Sequence, residues 1–291
     1  MDRVALEWIA DSLLAALARG AAVDAPALTF LVRRYRATLR VDLREALEPA
    51  LASAVADQAL VDTTGERAAW LTLFAEALAL SDDERVRDAV AALIAALRSD
   101  WGRAGLVDAA MASVDACLAC GHLDEGRRLV PAAIDELERV VAAAYNPGAG
   151  LAHSVGEPSG VRGCLADHVR AASALLTAFA TTGRLSYSML AEELMQFARR
   201  ALWDDETGGF SASNGDRQQP FVLNCEAARV LCRLAALHGE REYREAAVLA
   251  SGADYENDAA RILSAGSRTY QVRGLSSAAY GLALEEWLAL P

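Results

Sequence analysis

The chain has 291 residues, a formal net charge of −12 and 54% apolar residues, so it can bury a large core. All 28 basic residues are arginines, which excludes a phosphate-binding P-loop lysine and a Schiff-base lysine. The acidic balance argues against nucleic acid or an anionic membrane surface as a partner. Five cysteines, an odd number, indicate a reducing compartment, and no apolar run reaches membrane-spanning length. These features predict a soluble cytoplasmic protein.

Apolar residues recur at intervals of three and four along almost the whole chain, which predicts an all-α protein. Two long connections, 145–163 and 204–220, are rich in glycine, proline, serine and asparagine. Long loops in compact domains are often functional, so we expect these two to carry function. The predicted helices span residues 3–19, 26–40, 42–60, 66–80, 83–98, 105–120, 123–144, 164–182, 186–203, 221–238, 241–263 and 274–290.

The helices form a repeat of hairpins. Polar residues mark matching positions near the start of three units, at Asp108, Asp167 and Asn224, which are 59 and 57 residues apart. A period of this length, made of helical hairpins, predicts a stacked or closed array.

Ring closure is the favoured form of this array. An open solenoid needs polar caps at its ends, whereas the predicted helices 3–19 and 274–290 are strongly apolar. If these two helices pair, the chain closes into one (α/α)6 toroid domain over residues 1–291, with the first helix of each unit on the inside. An open α-hairpin solenoid or bundle is the alternative.

Part of the sequence resembles a known family. The turn from Trp203 to Phe210 reads Trp-Asp-Asp-Glu-Thr-Gly-Gly-Phe, and it follows the segment Leu165-Ala166-Asp167 and its apolar helix. This succession resembles the helical region of the spermatogenesis-associated, thioredoxin-domain-containing proteins. That family belongs to the six-hairpin toroid group with the N-acylglucosamine 2-epimerases and several glycosidases. The resemblance implies a toroid that acts on sugars, although the sequence has no βαβ pattern that would form the family's thioredoxin-like domain.

Candidate catalytic residues follow from the shared register. A closed ring would bring the starts of the inner helices to one mouth, so Asp108 and Asp167 should lie there together with the adjoining His168 and Glu226. Two carboxylates at one mouth can serve as acid and base, as in glycoside hydrolysis. Helix capping is the alternative interpretation, because Asp and Asn at helix starts accept backbone N–H groups.

Candidate substrate-binding residues come from the same mouth and from the tryptophans. The first long loop carries His153, Glu157 and Arg162 and leads into the helix of Asp167, so we expect it to cover the mouth. A solvated surface loop is the alternative. The predicted substrate-binding set is His153, Arg162, Asn224 and Trp101, with core packing as the alternative for the tryptophan.

Two helical pairs of cysteines raise the question of a metal. Cys117 and Cys120 share a helix face, as do Cys225 and Cys232, but buried thiols behave as small apolar groups. We therefore predict neither a metal site nor a cofactor. Together these observations predict an isomerase, epimerase or hydrolase acting on a small polar metabolite of carbohydrate type. The alternative is a non-catalytic helical module that binds a partner protein or a metabolite.

Overall fold

The computed structural model describes residues 3–57, 61–80, 83–103, 105–156, 160–248 and 250–291. The helices are α1 (Arg3–Ala18), α2 (Ala25–Thr38), α3 (Val41–Asp57), α4 (Thr64–Leu78), α5 (Glu84–Asp100), α6 (Val107–Ala119), α7 (Asp124–Ala144), α8 (Leu165–Thr182), α9 (Leu185–Leu202), α10 (Phe221–Gly239), α11 (Arg241–Ala246), α12 (Tyr255–Gly266) and α13 (Ser277–Leu288). Among the described helices, none is long and apolar enough to cross a membrane.

Short antiparallel strand pairs lie in the connections. β1 (Gly105–Leu106) pairs with β4 (Ser154–Val155), and β2 (Tyr145–Asn146) pairs with β3 (Gly150–Leu151). β5 (Trp203–Asp204) pairs with β6 (Gly209–Phe210) across the turn from Trp203 to Phe210 that the sequence analysis singled out. The two pairs upstream were not predicted, and β1 delays the start of α6 to Val107.

Six helices form a closed inner ring. In ring order they are α2, α4, α6, α8, α10 and α13, each packs against the next, and α13 packs against α2. The outer ring contains α1, α3, α5, α7, α9 and α12, and α1 packs against α13 as predicted. The (α/α)6 toroid is therefore confirmed, and the open solenoid is excluded.

The close approach of α13 to α2 depends on a glycine. A Cβ atom at Gly281 would lie 2.5 Å from Cε2 of Phe30, so a larger residue would push the two helices apart. The hydrophobic core lies between the two rings. Its largest fully buried side chains include Phe30, Phe74, Phe210 and Tyr280.

The predicted helix over 241–263 is wrong in one respect, because the structure divides it into α11 and α12. Glu192 on α9 holds the connecting segment: its Oε1 accepts the Ala250 backbone N–H and the Tyr255 hydroxyl, each at 3.0 Å. The backbone N–H of Asn257 donates to the Asp254 side chain at 3.0 Å and caps α12. These side-chain bonds compensate for the helical hydrogen bonds that the break removes.

Each inner helix is separated from the next by one outer helix, with the short α11 added before α12, so the inner helices run in the same direction. Their N-terminal ends meet at one mouth of the ring, where the aligned peptide dipoles favour negative charge. The long connections 145–164 and 203–220 lead into α8 and α10 at this mouth.

Candidate active site

The first turns of α6 and α8 bring a group of polar side chains together at this mouth. Asp167 is fully buried. Its Oδ1 accepts the Asp108 backbone N–H at 3.2 Å, and its Oδ2 lies 3.0 Å from Nδ1 of His153. With their charged and thiol neighbours these residues form what we call the mouth cluster, defined as Asp108, His153, Cys164, Asp167, Arg170 and Glu226.

The loop before α8 fixes the position of His153. The backbone N–H of His153 donates to the carbonyl of Val161, and the His153 carbonyl accepts the N–H of Val107, each at 3.0 Å. These bonds tie the loop to the start of α6 and set the imidazole against Asp167. The neighbouring Glu157, named with His153 in the sequence, lies outside the described residues.

Asp167 is the most perturbed carboxyl group of the mouth cluster. Burial is the largest influence and raises its pKa to about 6; the His153 hydrogen bond opposes this shift, and the charge of Asp108 adds to it. Burial also raises the pKa of the Cys164 thiol, with further contributions from Asp167 and Asp108. The pKa of Asp167 therefore lies closer to neutral pH than that of an ordinary aspartate.

Arg170 lies one helical turn beyond Asp167 and reaches carboxylates on both neighbouring helices. Its Nη1 donates to Oδ2 of Asp108 at 2.9 Å, and its Nε donates to Oε2 of Glu226 at 3.4 Å. One guanidinium group thus spans α6, α8 and α10. Within the described residues, the ion-pairing partner of Asp167 is the imidazole of His153 instead.

His168 adjoins Asp167 in sequence but points into the core, against α9. Its Nδ1 donates to the carbonyl of Cys164 at 2.8 Å, and its Nε2 accepts the Leu151 N–H at 3.2 Å. The ring stacks on Phe197 with a centroid distance of 4.8 Å, and burial lowers the pKa of the imidazole. Both nitrogens of a neutral ring are used, so the structure gives His168 a packing role away from the mouth cluster.

Arg162 and Asn224 hold backbone segments in place. Nη1 of Arg162 donates to the carbonyls of Ala144 and Gly150, each at 3.1 Å. Oδ1 of Asn224 accepts the Phe210 N–H at 2.7 Å, and its Nδ2 donates to the Phe210 carbonyl at 2.9 Å. Asn224 therefore clamps β6 to α10 through both ends of its amide, and these two residues do not join the mouth cluster.

Trp101 lines a cavity beside the mouth cluster, between the N-terminal ends of α4 and α6. Its Nε1 donates to Oγ of Ser113 at 2.9 Å, which fixes the indole. The cavity has a volume of about 340 Å³, within the range of small-ligand sites. It adjoins Asp108, because the next residue on α6 forms part of its wall. Other lining residues of this Trp101 cavity are Thr64, Arg67, Asp100, Leu106 and Ala109.

Three members of the mouth cluster also have the donor types of a metal site. His153, Cys164 and Asp167 each offer one ligand atom, and these atoms lie within 4.8 Å of one another, a donor set that zinc accepts. Asp167 already accepts hydrogen bonds on both oxygens, from the Asp108 backbone and from the imidazole. In this structure the aspartate is therefore held by hydrogen bonds from its neighbours.

The remaining cysteines belong to the core. Their thiols are free and buried, and burial raises the pKa of Cys120, Cys225 and Cys232 to about 12. Thiols with raised pKa values are poor nucleophiles and poor metal ligands. The four buried core cysteines are Cys117, Cys120, Cys225 and Cys232.

A second group of charges lines the lumen deeper in the ring. Arg33 on α2 pairs with Glu76 on α4 at 2.6 Å and with Glu286 on α13 at 3.2 Å. Glu286 also pairs with Arg229 on α10 at 2.7 Å. Burial favours a raised pKa for Glu286, but Arg229 and Arg33 together outweigh it and hold the pKa below its ordinary value.

On the other side of the lumen, hydroxyl groups connect the charges. Asp115 on α6 accepts hydrogen bonds from Ser173 and Thr177 of α8, each at 2.5 Å. The two hydroxyl oxygens accept bonds from Arg233 of α10 at 3.2 Å and 3.0 Å. We call the whole group the lumen belt, defined as Arg33, Glu76, Asp115, Ser173, Thr177, Arg229, Arg233 and Glu286.

The sequence reasoning missed two members of the mouth cluster. Cys164 stands three residues before Asp167, and Arg170 stands three residues after it. Residues three apart share a helix face. The spacing around Asp167 was therefore the signal that could have identified both.

No protein-family model matches this chain, and no curated protein matches its sequence. Solved structures nevertheless share the fold. Unsaturated glucuronyl hydrolase from Bacillus sp. GL1 is 13% identical, over 90% of this chain and 85% of that one, with a TM-score of 0.69. An α-1,6-mannanase from Salegentibacter sp. HEL1_6 is 12% identical, over 97% and 88% of the two chains, with a TM-score of 0.61. A D-mannose isomerase is 11% identical, over 77% and 72%, also with a TM-score of 0.61. Similarity at this level of identity shows the toroid fold and leaves the reaction to be argued from the site.

Proposed function

We propose that this chain is an enzyme of the hydrolase or isomerase class that acts on a small polar metabolite of carbohydrate type. The observation that carries the proposal is Asp167, a fully buried carboxyl group with a raised pKa that meets His153 and Asp108 at the ring mouth. The names of the three structural neighbours describe two hydrolases and an isomerase of sugars, which supports the same substrate class.

Asp167 would carry the proton in either reaction. In a hydrolase it would protonate the oxygen of the leaving group, while the Asp108 carboxylate assists water or a developing positive charge. In an isomerase it would move a proton between neighbouring carbon atoms, with His153 as its partner. Both reactions need a proton-exchanging group beside a second carboxylate; Asp167, with its raised pKa, would be the first, and Asp108, paired with Arg170, would be the second. No cofactor is part of this proposal.

The other predicted residues divide according to their contacts. Glu226 shares Arg170 with Asp108 and would keep its predicted place at the reaction centre. His153 and Trp101 would bind substrate, one at the partly exposed mouth and the other in the adjoining cavity.

We also propose that the chain acts in the cytoplasm, because its cysteines are free thiols. The resemblance to the spermatogenesis-associated family belongs to the same proposal and favours epimerase-like chemistry.

A non-catalytic helical module is the second candidate, and one observation favours it. Asn224 occupies the register of Asp167, and both the oxygen and the nitrogen of its amide form hydrogen bonds with backbone groups. Asp167 likewise accepts a backbone N–H, from Asp108. If the register serves only to tie each inner helix to its neighbourhood, the mouth cluster would bind a partner or metabolite without turnover.

A small substrate panel tests the two candidates. Purified protein is incubated with an unsaturated glucuronyl disaccharide, an α-1,6-linked mannose oligosaccharide and D-mannose, and conversion is followed by proton NMR. We expect turnover of at least one probe, and a loss of about 100-fold or more in kcat for Asp167→Asn. Asp124→Asn, at the exposed start of α7, serves as the matched control and should retain full activity. Absence of turnover of every probe, or an Asp167→Asn variant as active as the wild type, would contradict the enzyme.

A further inference from the structure

Arg170 distinguishes between three carboxyl groups that lie close together. Its guanidinium bonds to Asp108 on α6 and to Glu226 on α10, although Asp167 is nearer along its own helix. Asp167 is instead held by the imidazole of His153 and by a backbone N–H. Among these contacts, one guanidinium group therefore serves two carboxylates, and the third carboxyl group has an imidazole as its side-chain partner.

We infer that Arg170 is a positioning residue that gives the mouth carboxyl groups different roles: it holds Asp108 and Glu226 in ion pairs and leaves Asp167 as the group that carries the proton. This inference rests on the proposed function and deepens it, because it explains how adjacent carboxyl groups can act as acid and base. Arg170 acts through the carboxyl groups it contacts, and its role is electrostatic as well as geometric.

The charges that face Asp167 support this division. Asp108 approaches from α6 and His153 from the loop before α8, and the thiol of Cys164, just before α8, lies among the same groups. Arg170 follows Asp167 by three residues on α8. Glu226 on α10 reaches the same guanidinium. If all three carboxyl groups were ionised, one guanidinium would face three negative charges, so one proton held in the cluster relieves the repulsion. Burial makes Asp167 the place for that proton, because a fully buried group loses most when it is ionised.

The lumen belt supplies a matched comparison for this arginine. Arg33 also bridges two carboxylates on neighbouring inner helices, at 2.6 Å and 3.2 Å, and its side chain is 26% exposed against 33% for Arg170. The two arginines therefore make the same kind of structural bridge at similar exposure. A purely structural bridge predicts similar consequences on removal, whereas our inference predicts that only one of them affects the proton of Asp167.

Carboxyl titration by carbon-13 NMR tests the inference without a substrate. Protein labelled at aspartate side-chain carboxyls is titrated, and the Asp167 resonance is assigned by its loss in Asp167→Asn. In Arg170→Gln we expect the apparent pKa of the Asp167 resonance to rise by about half a unit to one unit, because a nearby positive charge is lost. In Arg170→Lys, which keeps the charge, most of this shift should disappear. In Arg33→Gln the Asp167 resonance should titrate as in the wild type.

Two results would overturn the inference: an unchanged Asp167 titration in Arg170→Gln, or an equal rise in Arg33→Gln. Misfolding of Arg170→Gln would be detected as a loss of dispersed resonances. Arg170→Lys then decides: a rise of half a unit or more in the apparent pKa of Asp167, although the positive charge is kept, would contradict the inference. Where a probe sugar is turned over, the pH–rate profile of Arg170→Gln should move upward by the same amount. If no sugar is turned over, the proposed function fails while the titration still answers the question about Arg170.

Discussion

The mouth cluster and the lumen belt use the same side chains in the same ring and reach different electrostatic outcomes. In the lumen belt, Glu286 lies between Arg33 and Arg229, and their charges hold its pKa below the ordinary value in spite of burial. In the mouth cluster, Asp167 has an imidazole in place of a guanidinium, and burial raises its pKa to about 6. The two carboxyl groups therefore differ in the direction of their pKa shifts, and the guanidinium groups beside Glu286 are the physical reason that its pKa is lowered in spite of burial.

This comparison also shows why a count of charged residues in the lumen says little about function. Carboxylates in both regions lie on inner helices, and most are paired within 3.5 Å. A buried pair whose charges are satisfied is a poor proton donor, because its ionised form is the stable one. A carboxyl group that is paired with an imidazole and not with a guanidinium, as Asp167 is, therefore says more about function.

The largest expected effect on stability belongs to the lumen belt. Glu286→Gln should lower the free energy of unfolding by about 3 kcal/mol, because two guanidinium groups lose their shared carboxylate. Urea denaturation at pH 7 measures the change. Glu48→Gln, which removes an exposed carboxylate paired with Arg44, is the control and should cost less than about 1 kcal/mol. Equal losses in the two variants would mean that the lumen belt is no more important than a surface pair.

The stability that Asp167 contributes should depend on pH in the opposite sense to the stability that Glu286 contributes. Its folded pKa of about 6 is raised above the unfolded value of about 3.9, so the folded state binds more protons between these values. The stability it contributes is therefore fully present below about pH 4 and lost as the pH rises through about 6. Asp167→Asn cannot ionise, so relative to wild type it should gain about 2 kcal/mol between pH 4 and pH 7.

Urea denaturation of the wild type and of Asp167→Asn at several pH values measures this difference. A difference in unfolding free energy that does not change with pH would refute the raised pKa of Asp167.

Glu286 should show the contrasting pH dependence. Its lowered pKa means that its contribution is present above its unfolded pKa and lost as the pH falls through the folded value. In Glu286→Gln the gap to wild type should therefore narrow on acidification.

The smallest effect is expected at the Trp101 cavity. Trp101→Ala should raise KM about fivefold for a turned-over sugar, with kcat unchanged, because the indole is proposed to bind a sugar away from the reacting atoms. Trp101→Phe keeps an aromatic face and loses the hydrogen bond to Ser113, so its KM should lie between that of the wild type and that of Trp101→Ala. A fall in kcat with unchanged KM would instead place the tryptophan in the reaction centre.

Helical periodicity and the repeat were enough to predict the toroid, including the contact between its first and last helices. The shared register also predicted that Asp108 and Asp167 would meet, because equivalent first-turn positions of neighbouring inner helices lie side by side. These successes rest on regular geometry, which repeats from unit to unit. Loop conformation does not repeat, so Arg162 and His153 were named together although only His153 reaches Asp167.

The remaining site residues depended on side-chain direction, which sequence adjacency does not give. Each step along a helix turns the side chain by about 100°, so His168 faces Phe197 in the core while Asp167 faces the mouth. Asn224 has the register of Asp108 and Asp167, but β6 lies within reach, and both ends of the Asn224 amide bond to its backbone. Only the three-dimensional position of that strand could have revealed this.

The meeting of α2 and α13 has a consequence for how the molecule opens. Arg33 and Glu286 are separated by 253 residues, yet their bond joins neighbouring helices of the same ring. Separation of α2 from α13 at this contact, which we call the seam, would also separate Phe30 from Gly281 and expose the packed face of α1. The seam should therefore part only in a cooperative opening, and hydrogen exchange should find the amides of α2 and α13 among the slowest, exchanging together. Small molecules would then enter and leave through the loops at the mouth while the ring itself stays shut.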